Sequence, residues 1–139
     1  MSEQGKSKLR TSIDAIEGGY EFMLAYAAQG RDFEYTGGGA GPSIRGYLGG
    51  LKDGLGSIAD DFEAEVKENV KSGAEEFNQF IEILRADAQK SLTAVSMVLS
   101  LPSIGSQVVD NLNASIHIRA MLTDLFLIDE ALSSLKRQE

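Results

Sequence analysis

The chain has 139 residues, which is enough for one domain with a single sizeable core. Its 13 basic and 21 acidic side chains give a net charge of −8, which argues against nucleic acid or an anionic membrane as a binding partner. The sequence contains no cysteine, so disulfides and thiolate metal sites are excluded. The polar N-terminal stretch lacks an apolar signal segment and the apolar runs are too short to cross a bilayer, so we expect a cytoplasmic protein.

The first helix is predicted from about Thr11 to Arg31. Residues 1–10 are polar and charged, and we expect them to form a flexible leader before a single helical domain over residues 11–139. Thr11 followed three residues later by Asp14 has the pattern of an N-terminal capping box. Apolar residues recur at steps of three and four and define one buried face, made of Leu9, Ile13, Ile16, Tyr20, Met23 and Ala27.

Two glycines, Gly18 and Gly19, interrupt this helix. Each costs roughly 1 kcal/mol of helix stability compared with alanine, so their presence calls for a reason. We expect another helix to approach closely at this level, and a kink or a ligand contact is the alternative.

A glycine-rich connector follows the first helix and occupies residues 30–42. Phe33 and Tyr35 are expected to hold one end of it against the bundle. An alternative role is anion binding by residues 37–41, with Arg45 one turn into the next helix. That signal is weak, because the strand and the sequence motif of known phosphate-binding loops are both missing.

The second helix is predicted from about Ser43 to Lys71, with Ile44, Leu48, Leu51, Leu55, Ile58 and Phe62 on its buried face. Gly46, Gly50 and Gly54 are four residues apart and therefore form a bare stripe on one side. Such a stripe lets a second backbone come close, either the first helix of the same chain or a second copy. These three glycines are the first group of predicted interaction residues.

A turn at about residues 71–73 is predicted to separate the second helix from the third. The supporting pattern is a second capping box, Ser72-x-x-Glu75, while the alternative is one continuous helix of more than fifty residues. The third helix is predicted to end near Leu99, because Pro102 follows. Residues 60–90 carry nine acidic and four basic side chains, which indicates a solvated face or, as the alternative, a docking surface for a basic protein.

The fourth helix is predicted from Ser103 or Ser106 to about Arg137. Its part from Ile116 onwards is apolar over most of its circumference, so we expect it to be the central helix with the others packed around it. Leu125 and Leu132 lie on its main apolar face. They form the second group of predicted interaction residues, because the helix is more apolar than three neighbours require.

The residues that carry chemistry do not form a recognised site. A di-metal helical bundle needs two Glu-x-x-His motifs, but the single histidine, His117, has Ala114 three positions before it. An all-carboxylate site is the remaining metal hypothesis, and it would use Glu17, Glu21, Asp124 and Glu130. We interpret His117 as a half-buried structural residue, and no nucleophile motif is present.

The sequence therefore predicts an all-α fold, an antiparallel four-helix bundle with a glycine-rich connector between helices 1 and 2. We expect a non-enzymatic protein without a cofactor that acts through protein–protein contact, as a homodimer or as an accessory to a partner. The alternative is a bundle with an internal small-molecule or carboxylate metal site.

Overall fold

The computed structural model of the protein describes residues 7–32 and 43–138, and all regular secondary structure in these ranges is helical. The five helices are α1 (Lys8–Ala27), α2 (Ile44–Asn69), α3 (Ala74–Leu99), α4 (Ser106–Asn113) and α5 (Ile116–Arg137). The all-α prediction is confirmed. The four-helix count is replaced by five helices in the described ranges, because the predicted fourth helix consists of α4 and α5. Phe33, Tyr35 and the predicted anion-binding stretch 37–41 lie outside the described residues.

Helix α1 begins earlier than the sequence pattern predicted. The Ser7 hydroxyl accepts a hydrogen bond from the Arg10 backbone N–H at 3.1 Å, which caps the helix at Lys8. Residues 8–10 therefore belong to α1 and not to a flexible leader. Thr11, the predicted N-cap, lies inside α1, so that prediction is wrong. Its neighbour Ser12 is buried between α1 and α2, where its hydroxyl donates to Asp61 Oδ2 at 2.5 Å.

A turn separates α2 from α3, so the prediction of two helices is confirmed over that of one long helix. Gly73 precedes α3 in the left-handed region at φ 82°, which glycine adopts without strain. No side chain caps this end, so the predicted pairing of Ser72 with Glu75 is wrong. Helix α3 stops at Leu99 before Pro102, as predicted.

The break between α4 and α5 was not predicted. The Ser115 hydroxyl accepts a hydrogen bond from the His117 backbone N–H at 3.2 Å and starts α5 as a new helix. The break lets α4 pack against α1 while α5 packs chiefly against α3. Ser106 joins α4 to α1, because its hydroxyl donates to the Tyr26 carbonyl at 2.9 Å.

The loop between α3 and α4, residues 100–105, is held from two directions. Arg45, at the start of α2, donates from its guanidinium to the Leu99 and Leu101 carbonyls at 2.9 and 2.7 Å. A cation at the C-terminal end of a helix satisfies free carbonyls and the helix dipole. On the other side, the Tyr26 hydroxyl donates to the Ile104 carbonyl at 2.6 Å. Arg45 thus has a structural partner in α3.

The core lies between α1, α2, α3 and α5. Its largest fully buried side chains come from every helix except α4 and from the α3–α4 loop: Ile13, Ile16, Met23, Leu48, Leu51, Ile58, Phe62, Ile81, Leu84, Ile104, Ile118 and Met121. Two ion pairs connect α5 to the far side of the bundle, Arg10 with Asp129 at 3.8 Å and Lys136 with Glu65 at 3.1 Å. In the ranges that the structure covers, no helix is both long and apolar enough to cross a membrane.

Close packing of α1 on α2 depends on two glycines, one on each helix. A Cβ at Gly19 would lie 2.9 Å from Leu51 Cβ, and a Cβ at Gly54 would lie 2.9 Å from Ile16 Cγ1. Contacts this short do not occur between real side chains, so only glycine fits at both positions. The predicted close approach of a second helix is therefore confirmed at Gly19, but no described atom lies within 4 Å of a Cβ at Gly18.

Candidate interaction surface on α3 and α5

Helix α5 is less buried than its composition predicted. Its core side is buried, as expected, and includes Leu125 and Leu132. However, Leu127 is 58% exposed and Ile116 is 74% exposed, and Phe126 is exposed as well. The expectation of burial on nearly all sides is wrong, because α5 packs chiefly against one long neighbour, α3.

We define the α3–α5 face as the outer surface along the line where these two helices meet. Helical spacing of three and four residues places its members in two adjacent stripes. The face consists of Phe80, Ile83 and Asp87 on α3 and of Ile116, Ala120, Asp124, Leu127 and Ala131 on α5. Ile83 is 52% exposed, so both stripes present large apolar side chains to solvent. Exposed apolar side chains that adjoin one another are typical of binding surfaces.

Two clefts lie along this face, one towards each end of α5. The first has a volume of about 180 Å³ and is lined mainly by apolar side chains, with Phe80, Leu127 and Ala131 among them. The second, of about 590 Å³, lies beside Ile116 and is bounded by Arg119 and Asp124 as well. The first cleft has about the size of one aliphatic or aromatic side chain.

A pair of carboxyl groups, Asp87 and Asp124, lies between the two clefts. Asp124 Oδ2 is buried and has no hydrogen-bond donor among the described residues. The pKa of Asp124 is raised from 3.8 to about 7, first because burial disfavours the charged carboxylate and second because Asp87 lies beside it. Two adjacent carboxyl groups can form a hydrogen bond only if one of them holds a proton. Below about pH 7, Asp124 therefore carries a proton that can form the hydrogen bond to Asp87.

The predicted interaction residues do not form one surface. Gly46 and Gly50 line an open cleft of about 450 Å³ between α1 and α2, where no described atom lies within 4 Å of a Cβ at Gly50. Gly54 is covered by α1 within the chain. Leu125 and Leu132 belong to the chain's own core. Of the three glycines, one is thus an internal contact and the other two border an open cleft.

The α3–α5 face was missed because its apolar residues were assigned to the core. Ile116 and Leu127 belong to the same apolar helix as Leu125, and periodicity alone does not separate them. The pairing of Asp87 with Asp124 had no sequence signal, because 37 residues separate the two positions. Both features depend on how α5 is placed against α3.

The carboxylate metal hypothesis finds no arrangement that supports it. Asp124 faces Asp87 on α3, and Glu130 forms an ion pair with Arg137 at 2.9 Å. Burial raises the pKa of Glu17, which adjoins other carboxylates on α1. Within the described ranges, no three His, Asp or Glu side chains come together as a metal site requires.

His117 is exposed, so the interpretation as a half-buried residue is wrong. Its carbonyl accepts a hydrogen bond from the buried Ser91 hydroxyl at 2.8 Å, which joins α3 to the first turn of α5. The backbone of His117, and not its imidazole, is therefore the part that the fold uses.

Comparison with known proteins adds no functional information. No protein-family model, curated protein or solved structure matches the chain.

Proposed function

We propose that the chain is a non-enzymatic protein that acts through protein–protein contact, and that it associates with a second copy of itself through the α3–α5 face. The observation that carries the proposal is the position of Ile116 relative to the apolar cleft of about 180 Å³. Both lie on the same face, but on opposite sides of Asp124 along α5. A projection at one end and a cleft at the other make the face complementary to itself under a two-fold rotation.

Distances along α5 support this pairing. Ile116 precedes Asp124 by eight residues, or about 12 Å at the helical rise of 1.5 Å per residue. The cleft residues Leu127 and Ala131 follow Asp124 by about 5 and 10 Å on the same scale. A two-fold axis near Asp124 would thus place Ile116 of each copy over the cleft of the other.

The available area favours a weak dimer. The 22 residues of α5 extend about 33 Å, and two helices about 10 Å apart present a strip about 20 Å wide. Two copies would bury on the order of 1,300 Å² in total, at the lower end of the range for stable interfaces. We propose that α1, α2, α3 and α5 form an antiparallel bundle that presents this strip on one side. The bundle gives the strip a rigid base, so little ordering is needed on association.

Sedimentation velocity over a range of concentrations tests the proposal. We expect a reversible monomer–dimer equilibrium that shifts strongly towards the monomer in Ile116→Ser and in Leu127→Ser. Leu24→Ser is the matched control, because Leu24 is an apolar residue of similar exposure (46%) on α1. It should leave the equilibrium unchanged.

Two results would count against the proposal. One is a strictly monomeric wild-type chain at the highest soluble concentration. The other is equal weakening of the dimer by the Leu24 control and by the two α5 variants, which would assign the association to another surface.

A further inference from the structure

The Asp87–Asp124 pair lies close to the centre of the proposed interface. The rotation that places each Ile116 over the partner copy's cleft has its axis near Asp124, as the distances along α5 require. Four carboxyl groups, two from each copy, would then lie near the axis. Like charges that face each other across an interface disfavour association, and the penalty is larger where water is excluded.

The pair needs a proton to satisfy its own hydrogen bonding. Asp124 Oδ2 is buried without a donor among the described residues, and a hydrogen bond between it and the Asp87 carboxyl forms only when Asp124 holds a proton. Removal of that proton leaves two adjacent negative charges on each copy. The dimer would bring both pairs together and would further reduce their access to water.

The other charged or titratable side chains near the pair lie on α3, α4 and α5. On α3, Lys90 follows Asp87 by three residues and is exposed. On α5, Arg119 lines the cleft beside Asp124, and His117 is exposed in the first turn. Asp110, the one titratable residue of α4, is also exposed. Of the described charged groups, Asp87 is the one that raises the pKa of Asp124.

We infer that the Asp87–Asp124 pair makes self-association depend on protons, with the two copies joined while each pair holds its proton and separated when the pairs lose it. This inference rests on the proposed self-association through the α3–α5 face. The dissociation constant should rise with pH around neutrality, because the dimer binds the protons more tightly than the monomer does. With one linked proton for each copy, the dissociation constant cannot rise by more than about 100-fold per pH unit. We expect it to rise on the order of tenfold between pH 6 and pH 8.

The experiment measures the dissociation constant of the full chain by sedimentation velocity at pH 6, 7 and 8, for the wild type and for three variants. Asp124→Asn supplies an N–H donor to Asp87 and fixes the charge of the pair at −1, so its dimer should persist at pH 8 without pH dependence. Asp110→Asn also removes one negative charge but lies outside the pair, so it should retain the wild-type dependence. His117→Gln should retain it as well. Far-UV circular dichroism verifies that each variant is folded.

The outcomes separate this inference from the proposed function. No association of the wild type or of Asp124→Asn at any pH would overturn the proposed dimer and the inference together. If Ile116→Ser weakens the dimer but the wild-type dissociation constant is the same at pH 6 and pH 8, the inference alone is overturned. Unchanged pH dependence in Asp124→Asn, or its loss in His117→Gln, would also overturn the inference, because the responsible proton would then lie elsewhere.

Discussion

Alanine at Gly54 and alanine at Gly50 should have opposite effects on stability, although the two residues are one helical turn apart on α2. A Cβ at Gly54 would lie 2.9 Å from Ile16 Cγ1 and 3.1 Å from the Ser12 carbonyl oxygen. The carbonyl belongs to the α1 backbone, so it cannot rotate away, and α1 must shift. At Gly50 no described atom lies within 4 Å of the added methyl group.

The expected magnitudes follow from two competing terms. Alanine gains about 0.5–1 kcal/mol over glycine in a helix interior, and this gain applies at both positions. Overpacking at Gly54 costs about 1–3 kcal/mol and outweighs the gain. We therefore expect Gly54→Ala to lower the free energy of unfolding by about 1–2 kcal/mol, and Gly50→Ala to raise it by about 0.5–1 kcal/mol.

Urea denaturation followed by circular dichroism measures both changes at one protein concentration. The midpoint should move down for Gly54→Ala and up for Gly50→Ala, with the slope of the transition unchanged. If Gly54→Ala were as stable as Gly50→Ala, then α1 and α2 would not be in close contact at Gly54.

Two further substitutions test other parts of the structure. Asp124→Asn should stabilise the monomer at pH 8 but not at pH 4. The pKa of Asp124 is raised from 3.8 to about 7 in the folded chain. The contribution of its protonated side chain to the free energy of unfolding is therefore fully present below pH 3.8 and is lost as the pH rises through 7. At 1.36 kcal/mol per unit of pKa shift, the stabilisation by Asp124→Asn at pH 8 has an upper limit of about 4 kcal/mol, and partial exposure reduces it to about 1–2 kcal/mol. Urea midpoints at pH 4 and pH 8 measure it. Gly105→Ala should lower the free energy of unfolding by about 2–3 kcal/mol, because its Cβ would lie 2.6 Å from the Asp32 carbonyl oxygen. Gly49→Ala is the control and should not destabilise the chain, because no described neighbouring group lies within 4 Å of its Cβ. Equal midpoints for these two alanine variants would contradict the close contact at Gly105.

Much of the fold was predictable from the sequence, because the spacing of apolar residues in an amphipathic helix shows which side of it is buried. The periodic apolar residues identified most core positions of α1 and all those predicted for α2, and Pro102 marked the end of α3. The break before α5 was harder to predict, since Asn113-Ala114-Ser115 contains neither glycine nor proline. Ser115 is a good N-cap residue and was the available signal.

The candidate interaction surface was not predictable in the same way. Spacing shows that Leu125 and Leu127 are both apolar, but only the position of α3 decides that the first is buried and the second is exposed. The same limit applies to glycine. Gly50 and Gly54 are equivalent in sequence, yet the crossing of α1 over α2 covers one and leaves the other open.

Hydrogen bonds at both ends of the α3–α4 loop also determine how much the length of the chain between α1 and α2 matters. Ser106 exchanges hydrogen bonds with the backbone of Arg31, at 2.8 Å in both directions, while Arg45 binds Leu99 and Leu101. Arg31 and Arg45, the described residues on either side of residues 33–42, are thus both held at the same corner of the bundle. Because the entropy of closing a loop grows only by about 0.6 kcal/mol for each doubling of its length, peptide tags inserted there should leave the packing of the helices intact. That corner is therefore a natural attachment point for a fluorophore or an affinity handle.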